Sequence, residues 1–208
     1  MNIGLVEINR SIVALYSLSS VSSGLKLLDS RRLKSNPGRE FLDNLEWLLL
    51  IARNNGLKKL YILIESEVLM SSYQGFSLLD KKYQGLSIKY LDNEFLSHII
   101  KPKLKSDTVN VWFEYEKIVI GYYNNKRPYV YVFNEYESNS KIDIYQRLSL
   151  YDFPSADFIK VSIHPLLEDM NKVLTFTHAF LEYFAEASLD YERTPLIKIY
   201  GNKMLPGK

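Results

Sequence analysis

The sequence predicts an α/β protein in which one unit of three strands, a helix and a further strand occurs twice. Three observations lead to this prediction. Each half opens with three segments typical of antiparallel strands, continues into amphipathic helix and closes on an apolar strand. A short acidic phrase follows the first strand of each half, Val-Glu-Ile-Asn-Arg at 6–10 and Phe-Glu-Tyr-Glu-Lys at 113–117. The repeated order and the repeated phrase indicate two copies of one unit.

The first half begins with a predicted hairpin over residues 3–8 and 11–18, followed by a third strand over 24–33. Asn-Pro-Gly at 36–38 ends that strand, and residues 40–55 then place apolar side chains at the 3.6-residue period of a helix. Gly56 suits the C-terminal cap. Because Trp47, Leu50 and Ile51 make this helix apolar almost all round, we expect it to be buried.

The rest of the first half predicts a parallel strand and a linker. Residues 58–65 form a near-continuous apolar run of the kind found inside parallel sheets. Residues 67–86 show only two similar Tyr-Gln-Gly segments, whereas 87–91 predict a strand and 93–100 a short helix that Pro102 ends. The basic run at 101–106 is the best linker in the chain. The predicted domains are therefore residues 1–100 and 108–208, joined by 101–107.

The second half repeats the pattern. Strands are predicted over 109–115, 118–123 and 129–133, and Asn-Asn-Lys-Arg-Pro at 124–128 has the composition of a hairpin turn. Helices are predicted over roughly 142–150 and from Pro165 to about Leu189. The apolar run at 195–201 predicts a final buried strand.

Composition excludes several classes of protein. A chain of 208 residues with 47% hydrophobic residues can bury a sizeable core, and the lack of cysteine excludes disulfides, thiol catalysis and cysteine-ligated zinc. The longest uninterrupted apolar run is six residues, so no membrane insertion is expected, and no export signal opens the chain. The net charge of +2 is far from that of a dedicated nucleic-acid-binding protein. We expect a cytoplasmic protein.

Two tandem βββαβ units with acidic corners resemble the actin-like ATPase superfamily, whose halves each have a ribonuclease-H-like fold. The residues that carry the resemblance are Glu7-Ile8-Asn9 at the first corner, Glu114-Tyr115-Glu116 at the second, and the closing run 196–207 with its Leu-Pro-Gly end. Within the superfamily they are most similar to the PilM-like assembly proteins of pilus and secretion systems. The resemblance implies a shortened actin-like architecture.

The corners depart from the pattern that this resemblance implies. Glycines in the family's corners let backbone N–H groups approach the phosphates, and a Cβ atom would hold the anion away. Here Asn9 and Arg10 occupy the first corner, Tyr115, Glu116 and Lys117 the second, and Asn202 replaces a terminal glycine. We therefore expect a pseudo-ATPase that binds no nucleotide cofactor.

An alternative is a Mg²⁺-dependent, resolvase-like nuclease. Such an enzyme needs carboxylates that converge on metal ions, and Glu7 and Glu65 end adjacent strands of a ribonuclease-H-like sheet. Glu67 or Asp169 could supplement them. A salt bridge between Glu7 and Arg10 would equally explain Glu7 without a metal.

Aromatic residues crowd the second half and predict an interaction surface at Trp112, Tyr129, Tyr131 and Phe133. The last three alternate onto one face of a strand, where they could stack nucleic-acid bases, pack in the core or contact a protein. The histidines give less: His178 and Glu182 lie one helical turn apart, and His98 and His164 are isolated.

The sequence thus favours a non-catalytic assembly or scaffold subunit. Its expected partners are other protein subunits, including those of a membrane-associated assembly. The alternatives are the nuclease and a nucleic-acid-binding accessory protein.

Overall fold

The computed structural model divides the chain into two compact units, one of Met1–Leu96 with Tyr200–Lys208 and one of Ser97–Ile199. The structure describes residues 2–8, 12–21, 24–34, 39–57, 59–64, 86–90, 93–114, 117–134, 146, 148–150, 153, 156–184, 187–193 and 195–204. Each unit contains one five-stranded sheet. The two sheets confirm the predicted α/β class.

The first unit has a sheet of strand order β3-β2-β1-β4-β5. Its elements are β1 (Asn2–Ile8), β2 (Ile12–Val21), β3 (Gly24–Lys34), α1 (Arg39–Asn54), β4 (Lys59–Ile64), β5 (Leu86–Tyr90) and α2 (Asn93–Ile100), the last of which extends into the second unit. The first three strands pair antiparallel, while β4 pairs parallel to β1, and β5 parallel to β4. This is the arrangement that a ribonuclease-H-like half requires.

The core of the first unit lies between one face of this sheet and α1. Alternate residues of β1 and β2, such as Val6 and Leu15, are buried against Leu45 and Leu49 of the helix. The helix ends at Asn54, one residue before the predicted end, and Gly56 follows in the predicted cap position with a φ of +69°, a conformation that glycine adopts without strain. A sheet covers only one side of a helix, so apolar residues on the far side stay in solvent.

The prediction that α1 is buried almost all round is therefore wrong for two residues. Trp47 is 49% exposed and Leu50 is 43% exposed. They lie three positions apart in the helix, so they belong to the same outer side.

The second unit repeats the topology, with strand order β10-β9-β6-β7-β8. Its elements are a 3₁₀ turn (Lys101–Lys103), β6 (Thr108–Phe113), β7 (Lys117–Asn124), β8 (Arg127–Asn134), β9 (Phe158–Ile163), α3 (Met170–Tyr183), β10 (Ser188–Arg193) and α4 (Pro195–Met204), which extends into the first unit. Strands β6, β7 and β8 are antiparallel, and β9 pairs parallel with both β6 and β10.

The predicted hairpin between β7 and β8 is confirmed, with a tighter turn than the sequence indicated. Asn124 pairs with Arg127, so only Asn125 and Lys126 form the loop, and both have positive φ. Two consecutive left-handed residues define the turn type whose twist matches that of the flanking strands.

An aromatic core lies between the second sheet and α3. Phe176, Phe180 and Phe184 follow one another at helical spacing, with ring centroids 5.5 Å and 5.4 Å apart. Phe153 packs against Phe180 and against Tyr122 of β7. These contacts fix α3 on this face of the sheet, so the polar residues of β6 and β9 must point to the other face.

Three predictions for the C-terminal part are wrong. The sequence predicted no strand at 158–163, where β9 lies, and it placed the long helix from Pro165 to about Leu189, whereas α3 spans Met170–Tyr183 and β10 begins at Ser188. It also predicted a strand at 195–201, where α4 lies. Pro195 occupies the first helical position, and burial of Leu196, Ile197 and Tyr200 follows helical spacing.

Other predictions stay untested. The two Tyr-Gln-Gly segments and the Leu-Pro-Gly end lie outside the described residues. Of the helix expected at 142–150, residues 146 and 148–150 are described, and 146, 148 and 149 are helical while 150 lies in a turn. No helix in the described part of the chain is both long and apolar enough to cross a membrane.

Candidate functional site

The hydrogen-bond registers identify equivalent positions in the two sheets. The last residue of each central strand has one antiparallel and one parallel partner: Ile8 pairs with Val13 and Ile64, and Phe113 pairs with Ile118 and Ile163. Ile8 therefore corresponds to Phe113, and Glu7 corresponds to Trp112 instead of Glu114. The two acidic phrases that suggested a duplication are thus offset by two residues, although the duplication of the topology itself is observed.

In the first unit, Glu7 is a buried carboxylate inside β1. Its side chain is 3% exposed, and its Oε2 atom accepts a hydrogen bond of 2.8 Å from the hydroxyl of Tyr16, which is fully buried. Tyr16 lies on β2 directly opposite Leu5, one diagonal step from Glu7 on the same face of the sheet. The fold itself therefore brings the donor to the carboxylate.

In the second unit, Glu114 and His164 form a buried polar pair at a different position of the sheet. Glu114 is the first residue after β6 and His164 the first after β9, so they stand at the carboxyl ends of two adjacent parallel strands. The Glu114 Oε2 atom lies 4.0 Å from the His164 Nε2 atom, and both side chains are buried. Carboxyl ends of parallel strands are where open α/β sheets place their ligands.

Backbone contacts fix the orientation of the His164 ring. The His164 N–H group donates to the Phe113 carbonyl at 2.7 Å, which extends the parallel ladder by one bond. The Leu166 N–H group donates to His164 Nδ1 at 3.2 Å. Since Nδ1 accepts a hydrogen bond, the neutral ring carries its proton on Nε2, the atom that faces Glu114.

The corner after β6 is closed by its own backbone. The Glu114 N–H group donates to the Lys117 carbonyl at 2.9 Å, across a loop of two residues. This amide is therefore engaged, and the corner carries a buried carboxylate. A phosphate group needs free backbone N–H groups and positive charge at such a corner.

The pair has two chemical capabilities. A carboxylate beside an imidazole can hold or move a proton between Glu114 Oε2 and His164 Nε2. The same two atoms are also donors of the types that divalent transition metals bind. Each capability requires access from solvent, and the Glu114 and His164 side chains are 3% and 0% exposed.

The sequence-predicted acidic residues are placed as follows. Glu65 and Glu67 lie outside the described residues. Asp169 caps the N-terminus of α3 by accepting from the Asn171 N–H group at 3.2 Å. The structure thus gives Asp169 a capping role in α3.

The predicted aromatic surface has one buried member and one exposed member. Trp112 is 4% exposed, whereas Tyr129 is 36% exposed. Tyr129 and Tyr131 both stack on the buried ring of Tyr122, at centroid distances of 5.5 Å and 5.9 Å. Phe133 lies in β8 opposite Ile118. Strand β8 is an edge of its sheet, so this aromatic group stands at a border where a partner could add.

Sequence reasoning missed His164, which it described as isolated. The missing information was β9, since without that strand His164 has no neighbour. Alternation of Ile159, Val161 and Ile163 with polar residues is the signal that could have predicted it. His178 and Glu182 lie exposed on α3, one turn apart, as expected, and His98 is exposed.

Comparisons with known proteins found similarity only among solved structures; no protein-family model and no curated protein matches the sequence. The type II variant of the Ppx/GppA phosphatase of Aquifex aeolicus superposes with a TM-score of 0.71 at 9% identity, covering 99% of this chain and 100% of that chain. The ethanolamine utilization protein EutJ from Carboxydothermus hydrogenoformans superposes with a TM-score of 0.57 at 8% identity, covering 99% of this chain and 90% of that chain.

A third similar solved structure has an actin-like ATPase fold. A Bacteroides thetaiotaomicron protein of unknown function with an actin-like ATPase fold has a TM-score of 0.56 at 10% identity, covering 92% of this chain and 90% of that chain. Identities this low establish a shared fold and not a shared activity. The chain has the actin-like ATPase fold.

Proposed function

We propose that this chain is an actin-like protein that does not turn over nucleotide and acts by binding other proteins. The observation that carries the proposal is the corner after β6, where the Glu114 amide bonds Lys117 and the Glu114 carboxylate is buried. A buried carboxylate there repels the anion that an active member of the fold would hold, and the engaged amide cannot donate to it.

The first corner supports the same conclusion. The carboxylate of Glu7, in the strand that leads to it, accepts from Tyr16. The residues that follow β1 are Asn9, Arg10 and Ser11, none of them glycine. Neither corner contains the glycines that would let backbone N–H groups approach a phosphate.

The exposed apolar side of α1 supports a protein-binding role. Trp47 and Leu50 share one helix side at 49% and 43% exposure, and tryptophan is enriched at the centres of protein interfaces. Together with the edge strand β8 and its residue Tyr129, they are the surfaces that we assign to partner subunits. We propose, further, that the chain has a role like that of the PilM-like assembly proteins.

A second candidate is hydrolysis of a phosphorylated substrate. Solved structures of this fold include a Ppx/GppA phosphatase, and the Glu114–His164 pair lies at the strand ends, where it could move a proton. The Mg²⁺-dependent nuclease hypothesis continues to depend on Glu7 and Glu65. One panel of assays tests ATP hydrolysis, polyphosphate hydrolysis and DNA cleavage.

The panel measures Mg²⁺-dependent hydrolysis of ATP, polyphosphate and branched or single-stranded DNA. We expect no turnover above the buffer rate. Turnover of ATP or polyphosphate that is lost in Glu114→Gln would establish the second candidate, and DNA cleavage lost in Glu7→Gln would establish the nuclease. Either result would overturn the proposal.

Partner binding is tested by affinity purification with quantitative mass spectrometry. We compare the natural chain with the double variant Trp47→Ser, Leu50→Ser, and with the matched control Leu174→Ser, whose leucine is 48% exposed on α3. We expect specific partners to be lost from the double variant and retained by the control. Equal recovery by all three proteins would exclude this side of α1 as the partner surface.

A further inference from the structure

The second unit contains a cavity of about 240 Å³ on the face of its sheet opposite the aromatic core. Strand alternation builds its floor. Asn110 pairs with Lys160, and two residues along the strands Trp112 pairs with Ser162. Ser162 in turn pairs with Glu192 of β10. The floor is therefore two neighbouring rows of side chains across three strands.

The lining combines polar groups with a rigid apolar wall. The Ser162 side chain belongs to a residue that is 2% exposed, and Asn110 adds an amide beside it. Trp112 is 4% exposed, and its ring lies close to Gly121, where a Cβ atom would come within 3.1 Å of the Trp112 Cζ3 atom. Ligand sites likewise combine an apolar wall with fixed polar groups that orient the ligand.

The charges in the lining are unbalanced. Lys103, Lys160 and Lys198 contribute three positive charges against the single carboxylate of Glu192. Lys160 Nζ lies 3.2 Å from Glu192 Oε2. Within the part of the chain that the structure describes, Lys103 and Lys198 form no ion pair. A net charge of +2 thus faces a partly enclosed space.

The geometry points to a binding site for a small phosphorylated compound. A phosphate monoester carries close to two negative charges at neutral pH and matches the excess charge of the lining. Lysine ammonium groups bind phosphate as point charges, and a serine hydroxyl and an amide can complete its hydrogen bonds. The organic part of the compound would rest against Trp112. Glu114 and His164 are not among the residues that line the cavity, so phosphate binding there is compatible with a chain that hydrolyses nothing.

The test uses tryptophan fluorescence. The chain has two tryptophans, so Trp47→Phe leaves Trp112 as the only one. This protein is titrated with inorganic phosphate and with glycerol 3-phosphate, and separately with sodium chloride at matched ionic strength. We expect a saturable change in emission with both phosphates and none with chloride. A change that chloride reproduces would overturn the site.

Charge variants locate the response. In the Trp47→Phe background, Lys103→Gln with Lys198→Gln should weaken phosphate binding about tenfold or more, because each variant removes a charge-assisted contact. Lys105→Gln, an exposed lysine two residues from Lys103 that does not line the cavity, is the matched control and should bind as the parent does. Equal binding by the double variant and the control would refute the assignment.

A thermal-shift measurement guards against misfolding. Phosphate should raise the melting temperature of the parent and of Lys105→Gln, since a ligand stabilises the state it binds. At the same phosphate concentration the rise should be smaller in the double variant, because weaker binding stabilises less. The melting temperature of the double variant without phosphate shows whether it is folded. Loss of phosphate binding at this cavity would leave the hydrolysis assays unchanged, so the two proposals fail separately.

Discussion

Glu114 and His164 are 50 positions apart in sequence, yet the Glu114 Oε2 atom lies 4.0 Å from the His164 Nε2 atom. The parallel pairing of β6 with β9 brings them together, because the strands end in register at Phe113 and Ile163. The two atoms are close neighbours, but 4.0 Å exceeds the length of a hydrogen bond. Both side chains are buried, so substituting either residue removes a buried polar neighbour of the other.

Glu114→Ala is expected to lower the free energy of unfolding by about 2 to 4 kcal/mol, since it removes a buried polar partner of His164 and leaves a void. Glu114→Gln should cost less because it fills the same space. Urea unfolding monitored by circular dichroism measures both. Glu182→Ala, at an exposed position of α3, is the control and should stay within about 0.5 kcal/mol of the natural chain. A Glu114→Ala cost as small as the control's would contradict the structural role.

Tyr16→Phe is expected to destabilise the protein by about 1 to 3 kcal/mol, because it removes the hydroxyl that donates to the buried carboxylate of Glu7. Tyr61→Phe, at a half-buried position of β4 in the same sheet, is the matched control. The same unfolding experiment compares the two. The prediction does not hold if the control variant loses as much stability as Tyr16→Phe.

Gly121→Ala is expected to cost about 1 to 3 kcal/mol by overpacking. The new Cβ atom would lie 2.7 Å from Leu104 Cδ2 and 3.1 Å from Trp112 Cζ3. The emission of Trp112 in the Trp47→Phe background should change with it. Repeating the substitution in Leu104→Ala should reduce its cost, because that variant removes the nearest atom. An unchanged cost would show that Leu104 does not limit the space.

Thr177→Val is expected to stabilise the protein by about 1 to 2 kcal/mol. Thr177 is 2% exposed, and among the described residues its hydroxyl has no hydrogen-bond partner, so the variant replaces a buried polar group by an apolar one of the same shape. Thr175→Val on the same helix is the control, since the Thr175 hydroxyl donates to the Asn171 carbonyl at 2.9 Å. The control should be neutral or destabilising. Destabilisation by Thr177→Val would reveal a partner for its hydroxyl.

The sequence predicted elements well where one signal dominated. The hairpin of β1 and β2 shows strong alternation, and α1 shows a strong helical period followed by a fitting cap at Gly56. The segment at 195–201 was ambiguous because Ile197 and Ile199 favour a strand while Pro195 suits a helix start. The segment forms a helix, which buries Leu196, Ile197 and Tyr200 on one side.

The site was less predictable than the fold for a reason of topology. Glu114 could be selected because it follows a strand, but its partner His164 becomes a neighbour only once β9 is placed beside β6. The Tyr16 hydroxyl likewise reaches Glu7 through a diagonal of the hairpin register. Contacts across strands depend on register, which local patterns specify weakly.

The two units share their strand pairing but not the positions of their acidic residues, which are offset by two residues. Both sheets keep one ladder of hydrogen bonds, in which Ile8 and Phe113 occupy the same rung. The strand position that is Glu7 in the first unit is Trp112 in the second. Architectural symmetry is therefore complete at the strand ends while functional symmetry is absent, so each half must be assigned its own role.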